Sequence, residues 1–261
     1  MSLSLSRRRA FLLALEIGTP ILVVVLWYAL SANSTSFYFP PLSRMLDSFK
    51  DNWLFARFSS DVIPSLVRLI LGYVISVAVA VPFGVLLGLS PTARRATSPI
   101  VEFLRAIPAP ALIPFGIVVM GIGNTMKIFI IVMVCVWPIM LNTIDGIRAV
   151  DPQLIDTAKA YRTGTWDRLR YVILPAAMPQ IFAGMRTSLS LAVILMVISE
   201  MVASTNGIGY FVLQSQRTFA IPDMWSGIIL LGLLGFGLNV LFGIFESRAL
   251  AWHRGARSAA R

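Results

Sequence analysis

Residues 145–179 read DGIRAVDPQLIDTAKAYRTGTWDRLRYVILPAAMP, and nine of them are charged. On either side the chain is apolar for about the length of a membrane span. Each charge held at the centre of a bilayer costs about 2.5–3.5 kcal/mol, so burying nine would cost on the order of 25 kcal/mol. The stretch must therefore lie in water beside a membrane.

Composition says the same of the whole chain. Of 261 residues, 57% are hydrophobic and 13% charged, and mean hydropathy is +0.80. A soluble domain is nearer a quarter charged, so a soluble core is excluded. The 19 Arg and 3 Lys against 12 acids would suggest nucleic acid on a soluble protein. Here the basic residues fall between apolar runs, so the expected partner is membrane lipid and not nucleic acid. Cys135 is the only cysteine and sits in an apolar segment, which excludes an intrachain disulfide.

A helix needs about 20 apolar residues to cross roughly 30 Å of hydrocarbon. Six segments qualify: Ala10–Ala32, Val62–Leu89, Ile100–Ile122, Met126–Ile144, Gln180–Ala203 and Met224–Ala251. The third carries Pro108, Pro110 and Pro114, each of which removes an amide donor from the helix ladder. Broken helices survive at membrane depth only where protein or a water-filled path covers the free backbone groups. These three prolines are therefore candidate pathway residues.

The basic residues outside the spans divide fourteen to five. The richer side holds Arg7, Arg8, Arg9, Arg94, Arg95, Arg148, Lys159, Arg162, Arg168, Arg170, Arg248, Arg254, Arg257 and Arg261; the poorer holds Arg44, Lys50, Arg57, Lys127 and Arg217. Positive charge favours the cytoplasm, so both termini and the charged stretch are expected there. Arg8-Arg9-Ala10-Phe11-Leu12 has the look of an export signal, but five further spans favour an uncleaved anchor. Leu42, Met45, Leu46, Phe49, Trp53 and Leu54 recur at helical spacing on the poorer side and predict an interfacial amphipathic helix. The expected organisation is a tail, first span and outer amphipathic segment over 1–60, a membrane core over 61–250 with its loop at 148–178, and a basic tail over 251–261.

Inside the loop, Asp151 is a helix N-cap with Pro152 at the first helical position. Leu154, Ala158 and Tyr161 then share one face. Thr163-Gly164-Thr165 reads as a turn, with Thr165 capping a second helix through Leu174; Pro175 and Pro179 should end it. At about 30 residues the loop is longer than ordinary connections; the alternatives are a solvated connector resting against the bundle and a functional element, and a long ordered loop is more often functional than a short one.

Asp156-Thr157-Ala158, followed by Val172-Ile173-Leu174-Pro175, resembles the Glu-Ala-Ala ("EAA") loop of bacterial ABC importer permeases. Flanking text agrees: Val101–Arg105, Ile107–Pro114, Gly121-Ile122-Gly123, Leu141-Asn142-Thr143, Val150-Asp151-Pro152, Ser199-Glu200-Met201 and Gly207-Ile208-Gly209-Tyr210. Together these are similar to the subgroup importing aliphatic sulfonates, taurine, nitrate or related solutes, over nearly the whole chain from about residue 38. Three positions depart from the pattern: Asp156 replaces Glu, Thr157 replaces Ala, and Arg162 occupies the Gly position. That Gly normally supplies a positive φ where the first helix ends. Gly164 is expected to take over the turn.

The resemblance implies an all-α integral membrane fold of the type I ABC importer permease class: six transmembrane helices with a cytoplasmic two-helix coupling loop. It implies a multi-pass permease of the plasma or inner membrane that passes a small solute. A separate ABC ATPase subunit would dock on Asp156, Thr157, Ala158, Tyr161, Arg162, Gly164, Leu174 and Pro175. A soluble binding protein outside the cell and a second permease copy, giving a homodimer, complete the set. The chain carries no G-x-x-x-x-G-K-[ST] phosphate loop, so ATP is expected on the partner, with no cofactor, metal or catalytic residue here. The alternatives are a stand-alone secondary transporter or channel, which has no use for a docking loop, and a membrane enzyme, for which no catalytic cluster appears.

Charged residues near the spans have plain readings too. Glu102 and Arg105, one helical turn apart, can satisfy each other. Arg68 and Glu16 lie near interfaces, where they can snorkel. Arg186 is either half of a structural ion pair or a pathway residue, and Glu200 is a candidate gate. Gly84 and Gly88 form a GxxxG pair, expected to allow close packing within the bundle.

Overall fold

The computed structural model describes residues 5–252, and every regular element among them is helical. In chain order the α-helices are α1 Leu5–Ser31, α2 Leu42–Asp51, α3 Ile63–Leu89, α4 Pro91–Ala106, α5 Leu112–Met120, α6 Asn124–Arg148, α7 Pro152–Ala160, α8 Thr165–Arg168, α9 Leu174–Val202, α10 Ile208–Arg217 and α11 Ile221–Ala249. Five helical runs are long and apolar enough to cross a membrane, and the bent pair α4–α5 makes a sixth if counted as one span. The side chains of Arg7, Arg8 and Arg9, and the tail with Arg254, Arg257 and Arg261, lie outside the described residues.

The chain forms two compact units. One comprises the described part of Met1–Phe58 with Val212–Leu230; the other comprises Ser59–Phe211 with the described part of Leu231–Arg261. The sequence places a boundary near 60 but assigns all of 61–250 to one core. Val212–Leu230 joins the N-terminal segment because its polar and aromatic groups find their partners there. Trp225 packs edge-on against Trp27 at 6.1 Å between ring centroids and donates its indole N–H to the Tyr38 carbonyl at 3.0 Å. Asp223 accepts from Ser48 and from Asn52, and Trp53 donates to Ser226 Oγ at 3.0 Å. The amphipathic helix forms as α2 and buries Leu42 and Met45, with Trp53 beyond it, inside this unit.

In the second unit α6 is the central helix, with α3 and α9 packed along it. The contact with α3 is a stripe of small residues at four-residue spacing: Gly72, Ser76, Ala80, Gly84 and Gly88. A Cβ at Gly72, Gly84 or Gly88 would come within 2.6–2.8 Å of Ile131, Thr143 and Ile147 side chains respectively. The GxxxG pair therefore packs within the bundle, as expected. On the other flank Gly184 admits Asn142, and Ser188 Oγ donates to the Cys135 carbonyl at 2.8 Å.

Two segments depart from the sequence reading. The second loop helix does not stop at Pro175 and Pro179: one apolar helical run extends over Thr165–Val202. A π-helical turn over Leu169–Ile173, with Leu174 N–H bonded back to Leu169, widens the ladder just before Pro175. That wider turn accommodates the missing amide and the ring. The same device precedes Pro64, after a π turn at Phe58–Val62. The proline-rich third span, by contrast, breaks. Ile107 is forced into extended geometry (ψ 121°) ahead of Pro108, and α4 meets the following helical segment at 81°.

Candidate functional site

Three places in the second unit concentrate chemistry. The first is the loop at 148–178, at one end of α6 and α9. Asp151 caps α7 by accepting Gln153 N–H at 2.8 Å, as its sequence position predicts. The end of α7 differs from expectation. Thr163 N–H bonds to the Ala158 carbonyl at 3.1 Å, and Arg162 N–H bonds to that of Lys159 at 2.8 Å. This is a Schellman closure, in which the residue between those bonds must turn left-handed.

That residue is Arg162 itself, at φ 54°. Gly164 does not take over the turn: its φ is −58°, and Gly164, not Thr165, occupies the cap of α8. A left-handed non-glycine residue costs about 1 kcal/mol, which the two closing bonds and Thr163 Oγ1 on the Ala158 carbonyl offset.

The closure also decides which loop residues face outward. Ala158 is buried against its own loop, so it does not share an open surface with Leu154 and Tyr161. What the loop exposes is Leu154, Tyr161 (81%), Trp166 (68%) and Tyr171. Asp156, exposed, pairs with Lys159 at 2.9 Å, while Thr157 donates back to Gln153. Leu174 and Pro175 are half-buried where the run enters α9.

The second place lies at the opposite ends of α6 and α9. Arg68, expected to snorkel, is 3% exposed and bonds through Nη1 to Glu200 Oε1 at 2.6 Å. Its other donors reach Asn124 Oδ1 at 2.8 Å and both the carbonyl and the side chain of Asn206. Glu200 is fully buried and also accepts from Ser65 Oγ and from Gly209 N–H at 3.0 Å. Asp61 accepts Gly207 N–H at 2.8 Å, and Ser65 Oγ accepts Ile208 N–H at 3.0 Å. The open amides at the start of α10 are thus met by groups from α9, from α3 and from the turn before it. Gly207 is required twice over: its φ is +115°, and a Cβ there would lie 2.5 Å from the Glu200 carboxylate. Lys127, assigned by sequence to the outer surface, is also buried here on the first turn of α6.

The third place is the α4–α5 break, where Pro108, Pro110 and Pro114 are exposed. Glu102 accepts from Ser98 Oγ at 3.0 Å and does not pair with Arg105. Both line an open groove with Trp137 and Asn142 of α6. Arg186 stands apart from these places. It forms an ion pair with Glu246 on α11, the structural alternative named for it.

A family model for the inner membrane component of binding-protein-dependent transport systems matches residues 80–250. The chain belongs to that family. Several curated relatives are similar along most of their length. The taurine transport system permease protein of Escherichia coli K12 is 27% identical over 92% of this chain and 90% of its own. The putative aliphatic sulfonates transport permease protein of Bacillus subtilis 168 is 27% identical over 89% and 85%. A probable ABC transporter permease protein of Brucella abortus 2308 reaches 31% over 88% and 92%. Among solved structures, an inward-facing form of the MetNI methionine ABC transporter aligns at a TM-score of 0.64 and 20% identity, over 72% of this chain and 94% of that one. That likeness carries the fold.

The chain is therefore a multi-pass membrane permease subunit of an ABC importer, in the type I importer fold. A transport subunit of this family works with an ABC ATPase and a binding protein, which replaces the stand-alone transporter and the enzyme as readings.

Proposed function

We propose that this permease moves a small sulfonate-type anion, and that the hairpin at 148–178 seats in a groove of a separate ATPase subunit. Two copies would form a homodimer, with ATP bound only by the partner. The hairpin and both termini would be cytoplasmic, the Glu200–Arg68 knot would hold the outer end closed, and the proline break would line the pathway. The substrate class comes from the taurine and sulfonate relatives.

The docking reading rests on one observation. An ordered, charge-rich hairpin presents Leu154, Tyr161, Trp166 and Tyr171 to solvent, while Ala158 and its closing bonds hold the shape. Aromatic residues are enriched at protein contacts, and exposed apolar surface marks such contacts. Ala158→Glu would then act by deforming the hairpin, whereas Tyr161→Ala with Trp166→Ala would strip its surface and leave the shape alone. Both should abolish co-purification with the ATPase and substrate uptake at normal membrane abundance. Co-purification and uptake at parental levels in the double variant would refute the docking role.

Orientation has its own test. On intact cells an impermeant thiol reagent should label a cysteine placed at Thr35 and spare one at Tyr161. The reverse pattern would invert the topology.

A further inference from the structure

Two stripes of side chains on one flank of the second unit run from apolar to basic in the same direction. Along α11, Leu238, Leu241, Phe245 and Arg248 follow at spacings of three and four residues, so they share a helix face. Along α9, Leu189 and Arg186 are three residues apart and are neighbours in the same way. Leu189, Leu238, Leu241 and Phe245 all line one open trough of about 250 Å³, whose third wall is α3. Both stripes end at one level, because Arg186 reaches across to Glu246, two residues from Arg248. Gly243 leaves it room: a Cβ there would lie 3.5 Å from Arg186 Nη2.

The trough itself is apolar. The one polar atom carried by its lining side chains is the Tyr73 hydroxyl, which donates to the Met185 carbonyl at 2.9 Å. Phe182 packs on Phe242 and Phe245 at 6.0 and 5.7 Å between ring centroids, which braces the wall. Leu241 and Phe245 nevertheless remain more than half exposed. At about 1.5 Å per residue, Phe245 and Leu238 lie about 6 and 17 Å from Ala249, the last residue of α11. Half of a hydrocarbon layer roughly 30 Å thick is about 15 Å. The α11 wall thus spans the depth of one leaflet's acyl chains, with both arginines at its hairpin-side edge. On α3 the lining continues to Tyr73 and Leu69, about 15 and 9 Å from the first residue of that helix.

Charge at that edge does not balance. Arg186 spends one donor on Glu246 and has no other partner among the described residues. Arg248 is exposed and has none among them. Glu246 therefore cancels one of the two positive charges and leaves the other open. We propose that this trough binds an anionic phospholipid: one acyl chain lies between α3, α9 and α11, and the phosphate takes Arg248 and the spare donors of Arg186. A guanidinium fork matches phosphate oxygens, and basic pockets between spanning helices hold acidic head groups. A free anion would gain nothing from the apolar walls. A zwitterionic lipid would bring its ammonium to an edge that already has a positive charge in excess, so the site selects against it.

The test uses the full chain, purified in mild detergent and stripped of lipid, then titrated with dioleoylphosphatidylglycerol or dioleoylphosphatidylethanolamine and read by native mass spectrometry. The first bound phosphatidylglycerol should be at least fivefold tighter than the first phosphatidylethanolamine. Arg248→Gln, which breaks no contact among the described residues, should bring that ratio close to one. Leu241→Trp fills the trough without altering charge and should remove the tight site for either lipid. Melting curves of both variants without lipid should match the parent, which separates lost binding from lost folding. A phosphatidylglycerol with a photoreactive acyl chain should label the α11 stretch 238–245 in the parent and not in Leu241→Trp. Equal affinity for the two lipids in the parent, or labelling spread evenly over the spans, would overturn the site. Competition by inorganic phosphate at the lipid's own concentration would make it an anion site and overturn it too. If a helix of a second copy fills the trough instead, Leu241→Trp will dissociate the copies and the parent will take up no label there, which also refutes the proposal.

Discussion

The two ends of the second unit handle charge in opposite ways. At one end Arg68 and Glu200 are almost fully buried, and their groups are matched to named partners across α3, α6, α9 and the turn before α10. At the other, Asp156 and Lys159 form a pair that is more than half exposed, beside aromatic side chains that touch little of their own chain. A buried, fully bonded pair fixes one arrangement of helices, and removing either partner strands the other. Exposed pairs add little stability, so what surrounds them is free to serve a partner. The first end is built to hold and the second to be held.

The comparison predicts a graded series of effects. Arg68→Ala should be the most damaging, because it leaves Glu200 buried without its counter-charge. The expected loss is about 3–5 kcal/mol, read as a lower unfolding temperature in detergent and reduced membrane abundance. A wild-type melting curve would show that the knot contributes little. Next comes the seam between the two ends. Gly84→Val forces side-chain atoms into the space of Thr143, where a Cβ alone would lie 2.6 Å away. Overpacking of this kind should cost about 1–3 kcal/mol in the same assay. Arg162→Gly should act in the other direction, relieving the left-handed strain and stabilising the hairpin by about 1 kcal/mol. Slower hydrogen exchange at the Thr163 amide would register it. Smallest in stability is the pair Tyr161→Ala and Trp166→Ala, within about 0.5 kcal/mol of the parent. Its effect should be on coupling alone.

The sequence shows the same asymmetry in what it makes legible. Apolar runs marked the spans because hydropathy is a local property, and Asp151-Pro152 marked the start of α7 because capping is local too. The departure at Arg162 was visible, but not its resolution: the chain kept the Schellman geometry and placed arginine in it. Pro175 was misread because a proline fits the first turn of a helix as well as its end, and only the π turn at Leu169–Ile173 distinguishes the two. The Arg68–Glu200 pair joins positions 132 apart, and Trp53–Ser226 joins positions 173 apart. No spacing rule relates residues so distant, so Arg68 read as a snorkelling side chain and Val212–Leu230 as part of the core.

The central claim is that the exposed hairpin is the seat of the ATPase, and a crosslink tests it most directly. A photoreactive side chain at position 166, irradiated in native membranes, should capture the ATPase subunit as the main product, with a yield that changes on adding ATP. Labelling of lipid alone, in a variant that still transports at the parental rate, would contradict the account.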